Sequence, residues 1–105
     1  MTEINKKELN NLFNKIKNNE KSAAEELYKK YKKIVYAIAF SILKNSEDAE
    51  DVVQNVFIKI YNLDVKKLPS KNESTWLYSV TKNEALLLLR RKKENIDLDS
   101  IYEIQ

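Results

Sequence analysis

Residues 45–62 read NSEDAEDVVQNVFIKIYN, and the fold follows from how this stretch is spaced. Ala49, Val52, Val53, Val56, Phe57, Ile60 and Tyr61 fall at i, i+3, i+4, i+7, i+8, i+11 and i+12, one stripe of a 3.6-period helix with no slip over three turns. That stripe is expected to be core. Asn45 or Ser46 is a ready N-cap, and Glu47, Asp48, Glu50 and Asp51 open the opposite edge, which continues through Gln54 and Asn55. Two readings of these carboxylates stand side by side. Acids in a first turn offset the partial positive charge of a helix N-terminus, and an outward acidic edge is also a surface for a basic partner.

Upstream, residues 20–44 predict a longer helix. Leu27, Tyr31, Ile34, Ile38 and Ile42 form its stripe, widened by Ala24, Val35, Ala39 and Leu43, while Lys29, Lys30, Lys32 and Lys33 take the solvent side. With Asn45 as the only joint, the two helices must lie roughly antiparallel and bury their stripes together. Each large apolar residue then contributes about 1.5 to 3 kcal/mol before ordering entropy is deducted. Residues 5–18 predict a short first helix, capped by Asn5 with Glu8 three residues on, and Leu9, Leu12, Phe13 and Ile16 make it a lid on the core. Asn18 and Asn19 mark the break after it, because Asn is the best available substitute for Gly in a left-handed C-cap.

Downstream, residues 63–72 read LDVKKLPSKN and contain the only proline, so a connecting loop of about ten residues is expected. Its Leu63, Val65 and Leu68 tuck under the bundle edge, or the loop carries binding function. Ser70 and Glu73 fit a capping box for a last helix over 73–94, whose core side holds Trp76, Leu77, Val80, Leu87 and Leu88. The other side holds Thr75, Ser79, Lys82, Arg90 and Lys93, with Asn83 on its border and Tyr78 beyond. Hydroxyls and an amide toward the start, with positive charge toward the end, suit a phosphate backbone with bases nearby. Arg90, Arg91, Lys92 and Lys93 equally suit compensation of a helix C-terminus. Leu86 and Leu89 fit the core stripe poorly and point to the first helix or a missing neighbour.

The whole chain has 105 residues, no Gly, no Cys, no His and one Pro. That predicts one all-α domain, a compact bundle of four helices (about 5–18, 20–44, 46–62 and 73–94) with a long loop before the last. The domain spans 1–95, and 96–105 read as an acidic tail or the start of an interdomain linker. Disulfides, Cys/His zinc sites, thiolate nucleophiles and imidazole bases are excluded, so no enzyme, metal or cofactor is expected. No apolar run is long enough to cross a bilayer and the N-terminus lacks the apolar core of a signal peptide, which points to a cytoplasmic protein without a membrane partner. Net charge is +3, but residues 1–45 carry +5, 46–63 carry −3, 64–95 carry +4 and 96–105 carry −3. One acidic helix between basic segments can meet a basic protein surface and a polyanion at once.

Three pieces in this order, LYKKYKKIVYAIAFSIL, then EDAEDVVQNVFIKIY, then after a loop STWLYSVTKNEALLLLRRKK, resemble the second domain of bacterial RNA polymerase sigma factors of the extracytoplasmic-function type. The resemblance covers about Ala23 to Lys93. Its motifs are specific in combination: AEDVVQ, the Trp76–Leu77 pair, and Asn83 followed seven residues later by RRKK. It implies an all-helical module that docks on the clamp helices of the polymerase β′ subunit and captures the minus-ten promoter element as single-stranded DNA, melting it. By resemblance, Glu47, Asp48, Glu50, Asp51, Gln54 and Asn55 form the polymerase surface. The loop, with Lys66, Lys67, Lys71 and Asn72, would pocket a base flipped from the non-template strand. Thr75, Ser79, Lys82 and Asn83 would read or steady that strand, and Arg90, Arg91 and Lys93 would hold phosphates upstream. Extracting a base costs a few kcal/mol that pocket contacts and positive charge must offset.

The chain departs from the family pattern at three places. Asn55 stands where Glu is common, Leu87 where an acid is usual, and Lys82 where Arg would grip phosphate bidentately. It also ends before any helix-turn-helix domain, which leads us to expect a fragment or a shortened member. The competing reading is a protein-interaction bundle regulated by, or acting on, an anti-sigma factor without reading DNA. A helix-turn-helix repressor fits less well, because the ten-residue loop exceeds the three or four residues that motif uses.

Overall fold

In the computed structural model the elements run α1 (Lys6–Lys17), α2 (Lys21–Leu43), α3 (Ser46–Asn62), one 3₁₀ turn at Val65–Lys67, and α4 (Glu73–Ile104). The structure describes the backbone of residues 5–104 and the side chains of residues 5–94. Among these the architecture is an all-α bundle, as its periodicity predicts. Caps fix the element starts: the Asn5 carboxamide oxygen accepts from the Glu8 N–H at 3.1 Å and that of Asn45 from the Asp48 N–H at 2.9 Å. With no glycine available, Asn19 (φ 62°), Lys44 (φ 54°) and Asn72 (φ 56°) take the left-handed conformation at the joints. Each costs roughly 1–2 kcal/mol, least for Asn. At Lys44 the backbone N–H recovers a bond to the Phe40 carbonyl at 2.8 Å.

The core joins all four helices. Leu9, Leu12 and Phe13 of α1, an i, i+4 ridge of α2 (Ala23, Leu27, Tyr31, Val35, Ala39, Leu43) with Ile34, and Ala49, Val52, Val53, Val56 and Ile60 of α3 are buried. Phe13 meets the Trp76 ring edge-on, centroids 5.6 Å apart, and Tyr28 meets Phe57 likewise at 5.2 Å. Ile38 and Ile42, expected in the α2 stripe, are only partly buried, and Ala23 is buried instead.

Three further expectations change. Tyr61 is 73% exposed rather than core. It lies in the last turn of α3, on the rim of an open groove that α2 lines with Lys21, Ala24, Glu25, Leu27 and Tyr28. Among the described side chains of α4 the buried ones are Glu73, Leu77, Thr81 and Ala85, while Leu87 is 38% exposed. Of the expected core side, Leu77 is buried and Trp76, Val80 and Leu88 are partly buried; the small Thr81 and Ala85 turn inward instead of Leu87, which lets α4 approach its neighbours closely. The Thr81 hydroxyl is satisfied by donating to the Leu77 carbonyl at 2.8 Å. Finally, α4 continues helical to Ile104, past the expected end at 94, because no Pro or Gly follows Asn72 to stop it. The reading of 96–105 as an acidic tail or linker concerns side chains outside the described residues.

Tyr31 ties α1 to α2 by donating toward the Asn5 carbonyl (3.3 Å) and the Glu8 carboxylate (3.4 Å). Burial, then the negative charge and hydrogen bond of Glu8, push its phenol up to about 12. Below the ordinary tyrosine value of 10.0 the phenol is neutral in both states. Above it the unfolded chain ionises first, so stability is lost as pH rises toward the folded value. Tyr31→Phe is expected to flatten this alkaline limb in urea titrations. An equally steep limb in the variant would assign the loss to other groups.

Candidate functional site

On α3 the stripe that packs inward leaves Glu47, Glu50, Asp51, Gln54 and Asn55 exposed on the far side. Asp48 departs from this edge. Its carboxylate turns to α4 and pairs with Lys92, leaving the side chain only 15% exposed. Lys59 and Glu84 make a second α3–α4 ion pair at 2.9 Å. Such partly exposed pairs are worth up to about 1 kcal/mol each, less than the buried stripes of the two helices. The acidic edge also runs on into apolar side chains that the sequence reading did not assign to it. Ile58 (54% exposed) and Tyr61 lie one and two turns beyond Gln54 on the same face. The available signal was Ile58 itself, an isoleucine on a polar face.

Beside that edge, α2 and α3 form a groove of about 420 Å³ lined by Tyr28, Lys32, Lys33, Tyr36, Glu50, Val53 and Gln54. The Lys32 ammonium lies 5.4 Å from the Tyr28 ring centroid. The lysines of α2 are solvent-facing, as expected; Lys30 pairs with Glu26 and Glu8, whose hydrogen bonds, that of Glu26 foremost, raise its pKa.

Residues proposed for DNA lie along one track. Thr75, Ser79, Lys82, Asn83, Arg90 and Lys93 are exposed and follow one another at helical spacing along α4, with Arg91 exposed to one side. From Thr75 to Arg90 is roughly 22 Å at the rise of an α-helix, so the two ends contact different parts of an extended ligand. Leu86, 40% exposed, interrupts the track between Asn83 and Arg90. Before it, Lys66 and Lys67 stand exposed on the 3₁₀ turn, held by the Asp64 carboxylate accepting from the Lys66 N–H at 3.0 Å. Lys71 and Asn72 are exposed at the tip leading into α4.

The expected capping box at Ser70 is absent. Asn72 occupies the position before α4, its carbonyl accepting from the Trp76 N–H at 3.0 Å. Glu73 is 7% exposed and takes a 2.8 Å bond from the Asn10 carboxamide of α1 instead of reaching back to a cap. A helix that passes over this turn captures both partners, which local spacing does not show.

Residues 27–95 match the family model described as Sigma-70 region 2. The chain belongs to that family. Sigma factors are transcription initiation factors and not enzymes. This region 2 chain is 31% identical over 86 residues to the ECF RNA polymerase sigma factor SigW of Bacillus subtilis, which covers 81% of the chain and 46% of SigW. It is 32% identical over 68 residues to SigE of Mycolicibacterium smegmatis (65% of the chain, 26% of SigE), and 26% identical over 74 residues to SigM of Bacillus subtilis (70% and 45%). Both are also ECF RNA polymerase sigma factors. The region 2 chain therefore spans less than half the length of these relatives. No solved structure matches it. Among the described residues no helix is long and apolar enough to cross a membrane.

Proposed function

We propose that this domain binds core RNA polymerase through the acidic edge of α3 and holds the minus-ten element as single-stranded DNA along the loop and α4. The observation that carries this is the placement of opposite charges. Glu47, Glu50 and Asp51 are exposed on one helix, and Lys82, Arg90, Arg91 and Lys93 are exposed on another that is packed against it. Two partners of opposite charge can then be held at once without competing for one surface. The acidic edge is the docking surface for the β′ clamp helices, with Ile58 and Tyr61 adding apolar contact beyond the charges. On the other face, Lys66, Lys67, Lys71 and Asn72 meet a base leaving the stack, Thr75, Ser79, Lys82 and Asn83 steady the strand, and the basic end grips phosphates. The domain works in the cytoplasm with its polymerase.

The test is the affinity of a fluorescent non-template minus-ten oligonucleotide for the domain with polymerase present, against a scrambled sequence of the same composition. Tighter binding of the promoter sequence, by about tenfold or more, is expected for pocketed bases. Equal binding of the two would remove the promoter reading. That outcome would favour the second reading, an interaction bundle for an anti-sigma factor, which one observation supports. Leu86 and Leu87 place apolar surface within the basic face, where a protein partner would use it better than a phosphate backbone.

A further inference from the structure

The loop between α3 and α4 has little of its own to hold it in one shape. Asp64 caps the 3₁₀ turn and Leu68 is buried, 4% exposed, but the chain must then pass from Pro69 through Ser70 and Lys71 to the left-handed Asn72. Pro69 cannot donate a backbone hydrogen bond, and its carbonyl lies outside the helices, where no backbone ladder pairs it. The partner comes from α1. The Lys17 ammonium donates to the Pro69 carbonyl at 2.9 Å and to the Ser70 hydroxyl at 2.8 Å, joining positions 52 and 53 residues apart in the chain.

Two more contacts of α1 hold the far side of the same turn. Asn10 donates to the buried Glu73 carboxylate at 2.8 Å, and Phe13 packs edge-on against Trp76. Leu68 and Glu73 are thus buried on either side of a short exposed tip, and Lys17 fixes the two residues that lead into it. A charge-assisted bond to each of two consecutive residues restricts their orientation as well as their position. The residues so presented are Lys71 and Asn72, both exposed.

We propose that Lys17 is a positioning residue for this loop, presetting the tip at Lys71 and Asn72 so that a particular unstacked base is accepted. Promoter discrimination then depends on α1, which precedes the residues matched by the family model. This inference rests on the promoter reading above. Preorganising the tip cuts the ordering cost of binding, and it does so only for the base whose geometry the preset tip fits. Lys17 does not have to touch DNA for this.

The experiment compares wild type with Lys17→Met and Lys17→Arg, using the minus-ten and scrambled oligonucleotides with polymerase present. Methionine keeps the unbranched apolar stem of the side chain and removes its donors. Lys17→Met loses both bonds, and its preference for the promoter sequence is expected to fall roughly tenfold or more, since one hydrogen bond to a charged group already corresponds to about that factor. Its affinity for core polymerase and for the scrambled strand should match wild type, and Lys17→Arg, which can donate to both acceptors, should recover most of the preference. If wild type prefers the promoter strand and Lys17→Met prefers it equally, the positioning role is overturned while the promoter reading stands. If Lys17→Met loses affinity for polymerase and for both strands together with its melting temperature, Lys17 is a structural brace only. If wild type shows no preference, both inferences fail.

Discussion

Asp51→Arg is expected to abolish retention of this domain by core RNA polymerase or by an isolated β′ clamp fragment. Asp51 lies in the middle of the exposed edge of α3, one turn from Glu47 and within a turn of Gln54 and Asn55, and its side chain takes no part in the core. Charge reversal therefore leaves the fold intact while replacing an attraction by a repulsion at a basic partner. Like charges brought together at an interface cost several kcal/mol, which corresponds to a loss of roughly a hundredfold or more in affinity. Calorimetry or pull-down against the clamp fragment measures it, and an unchanged melting temperature shows that the variant is folded. The wild-type affinity should also weaken as salt is raised, since exposed charges are screened. Retention equal to wild type would take the polymerase role away from α3.

The second large effect concerns stability. Phe13→Ala is expected to destabilise the domain by about 3–5 kcal/mol, because a fully buried ring is removed and the cavity left behind is walled by helices that cannot all close on it. Phe13 is 0% exposed and its ring is the partner of Trp76, at the start of the helix that carries the proposed DNA track. For a domain of this size the loss translates into a fall in melting temperature of roughly 12 to 40 °C, read by circular dichroism. A matching truncation at Tyr78, 48% exposed on α4, should shift the midpoint far less. A Phe13→Ala midpoint as high as that of wild type would mean that α1 is not part of the core. The prediction matters for function because α1 lies outside residues 27–95, yet it bears the side chains that grip the loop and the first turn of α4.

The sequence by itself determined the four helices, the N-caps of two of them and most of the core. Ala49, Val52, Val53, Val56 and Ile60 are buried as their spacing requires, and Asn5 and Asn45 cap as their positions require, since helix periodicity and capping are interactions between residues three and four apart. It also showed which charged side chains would be exposed, Glu47, Glu50 and Asp51 on α3 and Lys82, Arg90 and Lys93 on α4, because these fall outside the local apolar stripes. Only the tertiary structure decided which flank of a stripe turned inward. Thr81 and Ala85 are buried where Leu87 was expected, and Tyr61 is left in solvent, because burial at the edge of a stripe depends on where the neighbouring helices lie. The same holds for the polar partners. Asp48 found Lys92 at a separation of 44 residues, Glu73 found Asn10 at 63, and Ser70 found Lys17 at 53. Each of these residues had a plausible local role as an edge charge or a cap. A local pattern ranks partners only within a turn or two of the chain, whereas packing brings donors and acceptors from distant helices within 3 Å.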